Sequence, residues 1–194
     1  EAIQPQVDVT REGRSYDFLG KSYARMLSSL DTTTVIRPDT EHNSKPENQN
    51  SENIYISGDN LDALHHLTKS YAGQVKCIYI DPPYNTGAKD WKYNNDYVDS
   101  NDSYRHSKWL SMMQKRLKLA KQLLNPKDSV LIVTIDEKEY LHLGCLLEEM
   151  FPEARIQMVS VAIHSSGVAR SEFSRTDEYY FFVADKNKKT YFSK

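Results

Sequence analysis

Four consecutive residues, Asp81-Pro82-Pro83-Tyr84, carry most of the chemistry legible in this chain. They follow residues 75–80, a near-continuous apolar run that reads as a strand covered on both faces. Tandem prolines end such a strand by removing two ladder donors. They leave a carboxylate, a backbone carbonyl and an aromatic ring together at its carboxyl end, where open α/β sheets bind ligands. A strand-ending turn with a packing tyrosine would account for Asp-Pro alone. Four residues in this order, directly after a buried strand, favour a site.

Other candidates are weaker. Gly58-Asp59-Asn60, taken alone, is a turn and a helix cap, and the residues favour that reading. His65 and His66 fall on the helix that follows, with no acidic or cysteine partner at ligand spacing, so they read as surface or satisfied histidines. Lys108, Lys115, Arg116, Lys118 and Lys121 make a basic face suited to phosphates. Such a face is more often simply solvated, which is the reading favoured here. Residues 89–104 carry Trp91, Tyr93, Tyr97 and Tyr104 with Lys89 and Lys92 and are expected to offer stacking plus charge to a displaced strand. Cys77 and Cys145 lack CxxC or CxxxxH spacing, so neither a disulfide nor a zinc site is expected, and a reducing cytosol fits best.

The elements that must position these residues can be read in outline. Residues 1–20 are polar and patternless and read as an arm; Tyr23, Met26, Leu27 and Leu30 predict a short helix over 21–30. Residues 37–53 contain no hydrophobic side chain and read as an exposed linker. Short apolar runs then alternate with amphipathic helices. A strand is expected at 54–57, then a helix capped by Asn60, with Leu61, Leu64, Leu67 and Tyr71 on one face and Gly73 at its end. After the strand at 75–80 comes a long polar loop. A helix over about 103–124 follows, with Trp109, Met113, Leu117, Ala120 and Leu124 as its apolar stripe. A strand at 129–135 precedes Asp136 and Glu139, which match a capping box for a helix running to Met150. Two last strands, 155–163 and 178–184, flank a loop with Ser165-Ser166-Gly167, and Tyr191-Phe192 continue or pair with the second. This order predicts an α/β fold, a mostly parallel sheet with helices on its faces and a C-terminal antiparallel hairpin.

Asp81-Pro82-Pro83-Tyr84 with Asn85-Thr86-Gly87 resembles the signature of amino-methyltransferases that modify adenine in DNA. The resemblance extends through Gly58-Asp59-Asn60-Leu61-Asp62-Ala63-Leu64, Ile78-Tyr79-Ile80 and Tyr104-Arg105-His106-Ser107-Lys108-Trp109-Leu110. It continues through Val133-Thr134-Ile135-Asp136-Glu137 and Phe173-Ser174-Arg175-Thr176-Asp177-Glu178-Tyr179. Together these segments resemble the modification (Mod) subunit of type III restriction–modification systems, in the β-class motif order.

That resemblance implies an incomplete Rossmann-like, S-adenosylmethionine-dependent methyltransferase sheet and site-specific methylation of adenine N6. Adenine's exocyclic nitrogen is conjugated into its ring and is a poor nucleophile. Two acceptors aimed at its hydrogens favour a pyramidal nitrogen and stabilise developing positive charge. By resemblance Asp81 and the Pro82 carbonyl are those acceptors, the proline ring fixing φ, and Pro83 belongs to the same catalytic turn. Tyr84 would stack on a base flipped from the duplex. Asn85, Trp91, Tyr93 and His164 are the implied substrate contacts; Asp59, Asn60, His106 and Ser107 are the implied cofactor contacts. Trp109 suits a core role equally well. No metal is required. Implied partners are double-stranded DNA, a second Mod chain and a restriction (Res) subunit, in a bacterial cytoplasm.

The family's Phe-x-Gly-x-Gly methionine-binding motif does not occur in these residues. In the β-class order it follows a target-recognition region downstream. Residues 54–194 therefore read as the N-terminal part of the catalytic domain, preceded at 1–53 by the arm, short helix and linker. Glu1 in place of Met predicts processing or excision from a longer chain. Two strands of the family sheet would lie between those at 54–57 and 75–80, so these should either pair directly or expose edges. These residues alone should bind S-adenosylmethionine weakly or not at all. Composition agrees: 25 Lys plus Arg against 27 Asp plus Glu give no basic field, so strong DNA binding is expected chiefly elsewhere. No run of about 18 apolar residues is present, so no spanning helix is expected. Methylation of another planar amine, such as cytosine N4, and a purely assembling role are the competing readings.

Overall fold

Ile135, Val133 and Leu131 are wholly buried, while their neighbours Ile132 and Val130 are only half-buried, and this alternation defines the architecture. The computed structural model describes residues 32, 34–86, 92–93, 96–97, 101–163, 167 and 175–186. Among them, α1 is Thr40–Asn43, α2 is Asn60–Tyr71, β1 is Cys77–Ile80, β2 is Lys92–Tyr93 and β3 is Asp96–Tyr97. Then come α3, Arg105–Leu123; β4, Val130–Ile135; α4, Tyr140–Met150; β5, Ala154–Ala162; and β6, Asp177–Asp185.

The main sheet runs in the order β1-β4-β6-β5, and β2 and β3 form a separate two-stranded ribbon. β1 lies parallel to β4, with Ile80 beside Val133. β6 is antiparallel to both β4 and β5. The expected closing hairpin is present, but the sheet is mixed rather than mostly parallel. The strand that returns from the hairpin takes the slot beside β4 and so adds two antiparallel pairings to a single parallel one.

α3 and α4 supply the cover. α3 holds Leu, Met, Lys, Gln and Ala without Gly or Pro, all good helix formers. Trp109, Met113 and Leu117 from α3, with Leu143 and Leu147 from α4, join Leu131, Val133, Ile135, Phe181 and Val183 in one core. The paired registers Leu131–Val183 and Val133–Phe181 place these strand residues on one sheet face. The expected apolar stripe of α3 is therefore correct, although Ser111, Met112, Gln114, Leu119 and Leu123 are buried as well. α2 packs on α3.

Four expectations need correction. Residues 54–57 form no strand, and Ile54 and Tyr55 are exposed, the latter by 92%. A run of three apolar residues has no strand structure without a partner edge, and β1 does not pair with it. β1 itself is not covered on both faces: Cys77 is exposed and Tyr79 is 58% exposed, and these alternate residues share one face; β1 is also an edge strand. The exposed-edge outcome is the one observed. The cap of α2 is Asp59, not Asn60: Asp59 Oδ1 accepts from Leu61 N at 2.8 Å and Asp62 N at 3.3 Å. Finally, α4 begins at Tyr140, and Glu139 makes no side-chain capping bond, so the capping box does not form.

Smaller differences follow from local chemistry. The 37–53 linker is largely exposed, as expected, but it holds the one-turn α1, capped by Asp39. The polar loop after β1 contains the β2–β3 ribbon. The basic face of α3 is not simply solvated: Arg116 Nε donates to Asn60 Oδ1 at 2.6 Å, Lys121 Nζ donates to the Met150 carbonyl at 2.6 Å, and Lys108 pairs with Asp102. Burial, reinforced by Arg116, lowers Lys115 to about 8. His66 Nε2 is satisfied by Thr34 Oγ1 at 3.0 Å. The expected arm over 1–20, the helix over 21–30 and Tyr191-Phe192 lie outside the described residues.

Candidate active site

The carboxyl ends of the parallel pair β1 and β4 bring Asp81 and Thr134 together. Thr134 Oγ1 lies 2.5 Å from Asp81 Oδ1, and the Tyr84 hydroxyl donates to the same oxygen at 2.9 Å. Burial, reinforced by the Asp81 carboxylate, pushes the Tyr84 hydroxyl up to about 12, so it remains a donor. Asp81 is itself exposed. A carboxylate is thus held by one oxygen at an open sheet edge, and Tyr84 packs partly against the core beside it.

The two prolines divide their roles. The Pro83 carbonyl accepts from Trp109 Nε1 at 2.6 Å. Pro82 is buried, and among the described residues no donor reaches its carbonyl. Trp109 therefore does two things at once. Its ring is fully buried in the core, and its nitrogen fixes the turn.

Asn85, next in the chain, is 1% exposed and has φ +59°, the left-handed region that a non-glycine residue rarely adopts. Its side-chain amide donates to Glu139 Oε1 and, at 3.4 Å, to the Arg105 carbonyl. Glu139 is fully buried at the start of α4. Its Oε1 also lies 2.7 Å from His106 Nδ1, and its Oε2 lies 3.0 Å from His142 Nδ1. Arg105 Nε, which can only donate, reaches His106 Nε2 at 3.2 Å, so neutral His106 carries its proton on Nδ1 and donates it to Glu139. Burial raises Glu139 to about 7; burial and Arg105 lower His106. Beside them Asp136 is also fully buried; its carboxyl accepts from Lys138 N at 2.8 Å, and burial raises its pKa.

The expected cofactor residues fall into two groups. His106 and the half-buried Ser107 begin α3 beside Glu139, and the His106 ring stacks on His142 with centroids 4.5 Å apart. Asn60, next to Asp59 in the chain, meets the same helix at Arg116. Ser107 and Arg116 stand nine positions apart on α3, roughly 14 Å along its axis at about 1.5 Å per residue. Asp59 is exposed and uses one oxygen for its cap, which leaves the other for a ligand hydroxyl. That donor set fits the polar adenosine end of S-adenosylmethionine. Of the expected substrate contacts, Asn85 is turned inward toward Glu139, Trp91 and His164 lie outside the described residues, and Tyr93 is described only as backbone in β2.

His106, Glu139 and His142 also bring three potential metal-ligand atoms within 4.8 Å, which the sequence did not signal. Their spacing is that of hydrogen bonds. Ligands at about 2.1 Å from a tetrahedral zinc would stand about 3.4 Å apart. His106 Nδ1, moreover, already carries the proton it gives to Glu139. Sequence reasoning missed Glu139 because a capping-box match hid it, and it missed Thr134 because a strand threonine has no distinguishing pattern.

A family model described as DNA methylase matches residues 75–194, which include Asp81, Asn85, Trp109, Thr134 and Glu139 but not Asp59 or Asn60. The chain is 35% identical over 207 residues to the Mod subunit of the type III restriction-modification enzyme EcoPI of Escherichia phage P1, covering 94% of this chain and 32% of that relative. It is 40% identical over 169 residues to the StyLTI Mod subunit of Salmonella typhimurium, covering 76% and 26%. It is 38% identical over 113 residues to the type II methyltransferase M.KpnI of Klebsiella pneumoniae, covering 57% and 26%. The chain thus spans at most about a third of the length of these curated relatives.

Proposed function

The chain belongs to the DNA methylase family, and from that premise we propose that it carries the base-side half of an adenine-N6 DNA methyltransferase active site. Residues 54–194 would form the N-terminal part of a Rossmann-like catalytic domain, with 1–53 as its arm and linker. The observation that carries this reading is Asp81, held at the end of β1 by Thr134 and Tyr84 through Oδ1. Its Oδ2 is then the acceptor offered to a substrate amine, and the Pro82 carbonyl, beside a Pro83 carbonyl fixed by Trp109, is the second.

The role of these residues follows from the amine's chemistry. Two acceptors on its hydrogens turn the nitrogen lone pair out of conjugation and stabilise positive charge as the methyl group arrives. One amino proton must then leave, and Asp81 stands where it can take it. Tyr84 presents an aromatic face to a base removed from its stack, at an unstacking cost of a few kcal/mol. S-adenosylmethionine, when bound, supplies an electrophilic methyl group. Asp59 and Asn60 would hold its adenosine end, with His106 and Ser107 contributing from the other end of α3. Asn85, Trp91, Tyr93 and His164 remain the proposed base-side set, with Asn85 acting from behind the turn. The partners proposed are double-stranded DNA, a Res subunit and a second Mod chain, in a bacterial cytoplasm. Among the described residues no helix is long and apolar enough to cross a membrane.

The test is nucleoside mass analysis of unmethylated genomic DNA treated with the natural full-length protein and S-adenosylmethionine. N6-methyladenine should form with the wild type and be lost with Asp81→Asn. N4-methylcytosine would move the assignment to cytosine, and an unaffected Asp81→Asn variant would refute it.

A further inference from the structure

We propose that Glu139 is a positioning residue: its buried Oε1 holds Asn85 in the left-handed conformation and so fixes the Asp81-Pro82-Pro83-Tyr84 turn that precedes it. Asn85 sets the direction in which the chain leaves Tyr84. Asparagine tolerates a left-handed φ of +59° better than other non-glycine residues, and the buried bond its side chain makes outside the turn selects that conformation over the alternatives. The side-chain amide of Asn85 ends on Glu139, 54 residues away in sequence. The same Oε1 takes the Nδ1 proton of His106, which ties the first turn of α3 to the same point. Glu139 stands at the start of α4 yet makes no capping bond; its Oε2 lies against His142 of that helix, and its Oε1 serves Asn85 and His106. One buried oxygen thereby joins the ends of three elements: the turn after β1, α3 and α4. Burial of both Asn85 and Glu139 keeps water from replacing the bond between them.

The kinetic readout rests on the methyl-transfer reading above; the structural readout does not. Glu139→Gln keeps an acceptor at Oε1, whereas Glu139→Met keeps the shape and removes it. In the natural full-length enzyme, Glu139→Gln should retain kcat within about threefold. Glu139→Met, folded by circular dichroism at the assay temperature, should lose at least about tenfold in kcat with both KM values within about threefold. Asn85→Gly should lose at least about fivefold in kcat, and Glu139→Met on that background should add less than about twofold. Unchanged kcat in Asn85→Gly, or fully additive losses, overturns the proposal, and the Asn85→Gly arm decides if Glu139→Met does not fold. A wild type that transfers no methyl refutes the function and leaves the decision to the structure of Asn85→Gly and of Glu139→Gln. His106 must stay on Glu139 in both, and Asn85 must keep a positive φ in Glu139→Gln alone, whereas its loss there overturns the inference.

Discussion

Trp109 Nε1 donates to the Pro83 carbonyl at 2.6 Å while the indole ring is completely buried beneath the sheet. One side chain therefore links the core to the turn that presents Asp81. A turn on an edge strand has few neighbours to hold it, and this bond supplies one from α3, whose inner face is buried in the core.

Trp109→Phe separates the two contributions. The six-membered ring is kept, but a part-buried carbonyl loses its donor and the missing pyrrole atoms leave a small cavity, which together cost about 1–3 kcal/mol. Chemical denaturation should read a loss of that size. Trp109→Ala should lose more, about 3–5 kcal/mol, through the cavity it leaves. Equal stability of Trp109→Phe and wild type would show that the bond does not hold the turn.

Thr134→Val tests the seat of the carboxylate. The substitution is nearly isosteric and removes only the hydroxyl donated to Asp81 Oδ1. A hydrogen bond to a charged group contributes about 1.5–3 kcal/mol, so methyl transfer should slow by about tenfold or more if Asp81 must be held for chemistry. Steady-state kcat on DNA reads this directly. An unchanged kcat would leave Tyr84 alone as the positioning donor.

Asp59 has a structural and a proposed ligand role that two substitutions separate. Asp59→Ala removes the cap of α2 and should cost about 1 kcal/mol, read by thermal melting. Asp59→Asn keeps the cap, since asparagine caps equally well. It should nonetheless raise the KM for S-adenosylmethionine if the free carboxylate oxygen holds the adenosine end. Unchanged KM in Asp59→Asn restricts Asp59 to capping.

How far these features were legible follows from what each depends on. The Asp81 turn and the stripe of α3 are local patterns, and the structure places both as read. The strand at 54–57 and the full cover of β1 were not, because apolar runs report a capacity for burial and not which edge is available. β6 lies between β4 and β5 because of pairing, which no spacing encodes. Glu139 sits in the run Asp136-Glu137-Lys138-Glu139, where charge predicts exposure. Only the fold shows that Asp136 and Glu139 are buried and that Glu139 faces Asn85 from 54 positions away.

Glu139 also predicts how stability depends on pH. Burial raises its carboxyl from 4.5 to about 7, against the opposing pull of Asn85, His142 and Arg105 and with reinforcement from Asp136. Between those values the folded state binds more protons than the unfolded state. This group's contribution is therefore fully present below about 4.5 and is lost as pH rises through about 7. His106 works the other way: its lowered pKa makes the unfolded state the better proton binder, so its contribution is lost as pH falls from 6.5. The comparison with Glu139→Gln isolates the carboxylate. Near pH 7.5 the melting temperatures of the two proteins should differ in favour of the variant, and the gap should close toward pH 4.5. A gap independent of pH across that window would mean that Glu139 titrates as an ordinary carboxylate.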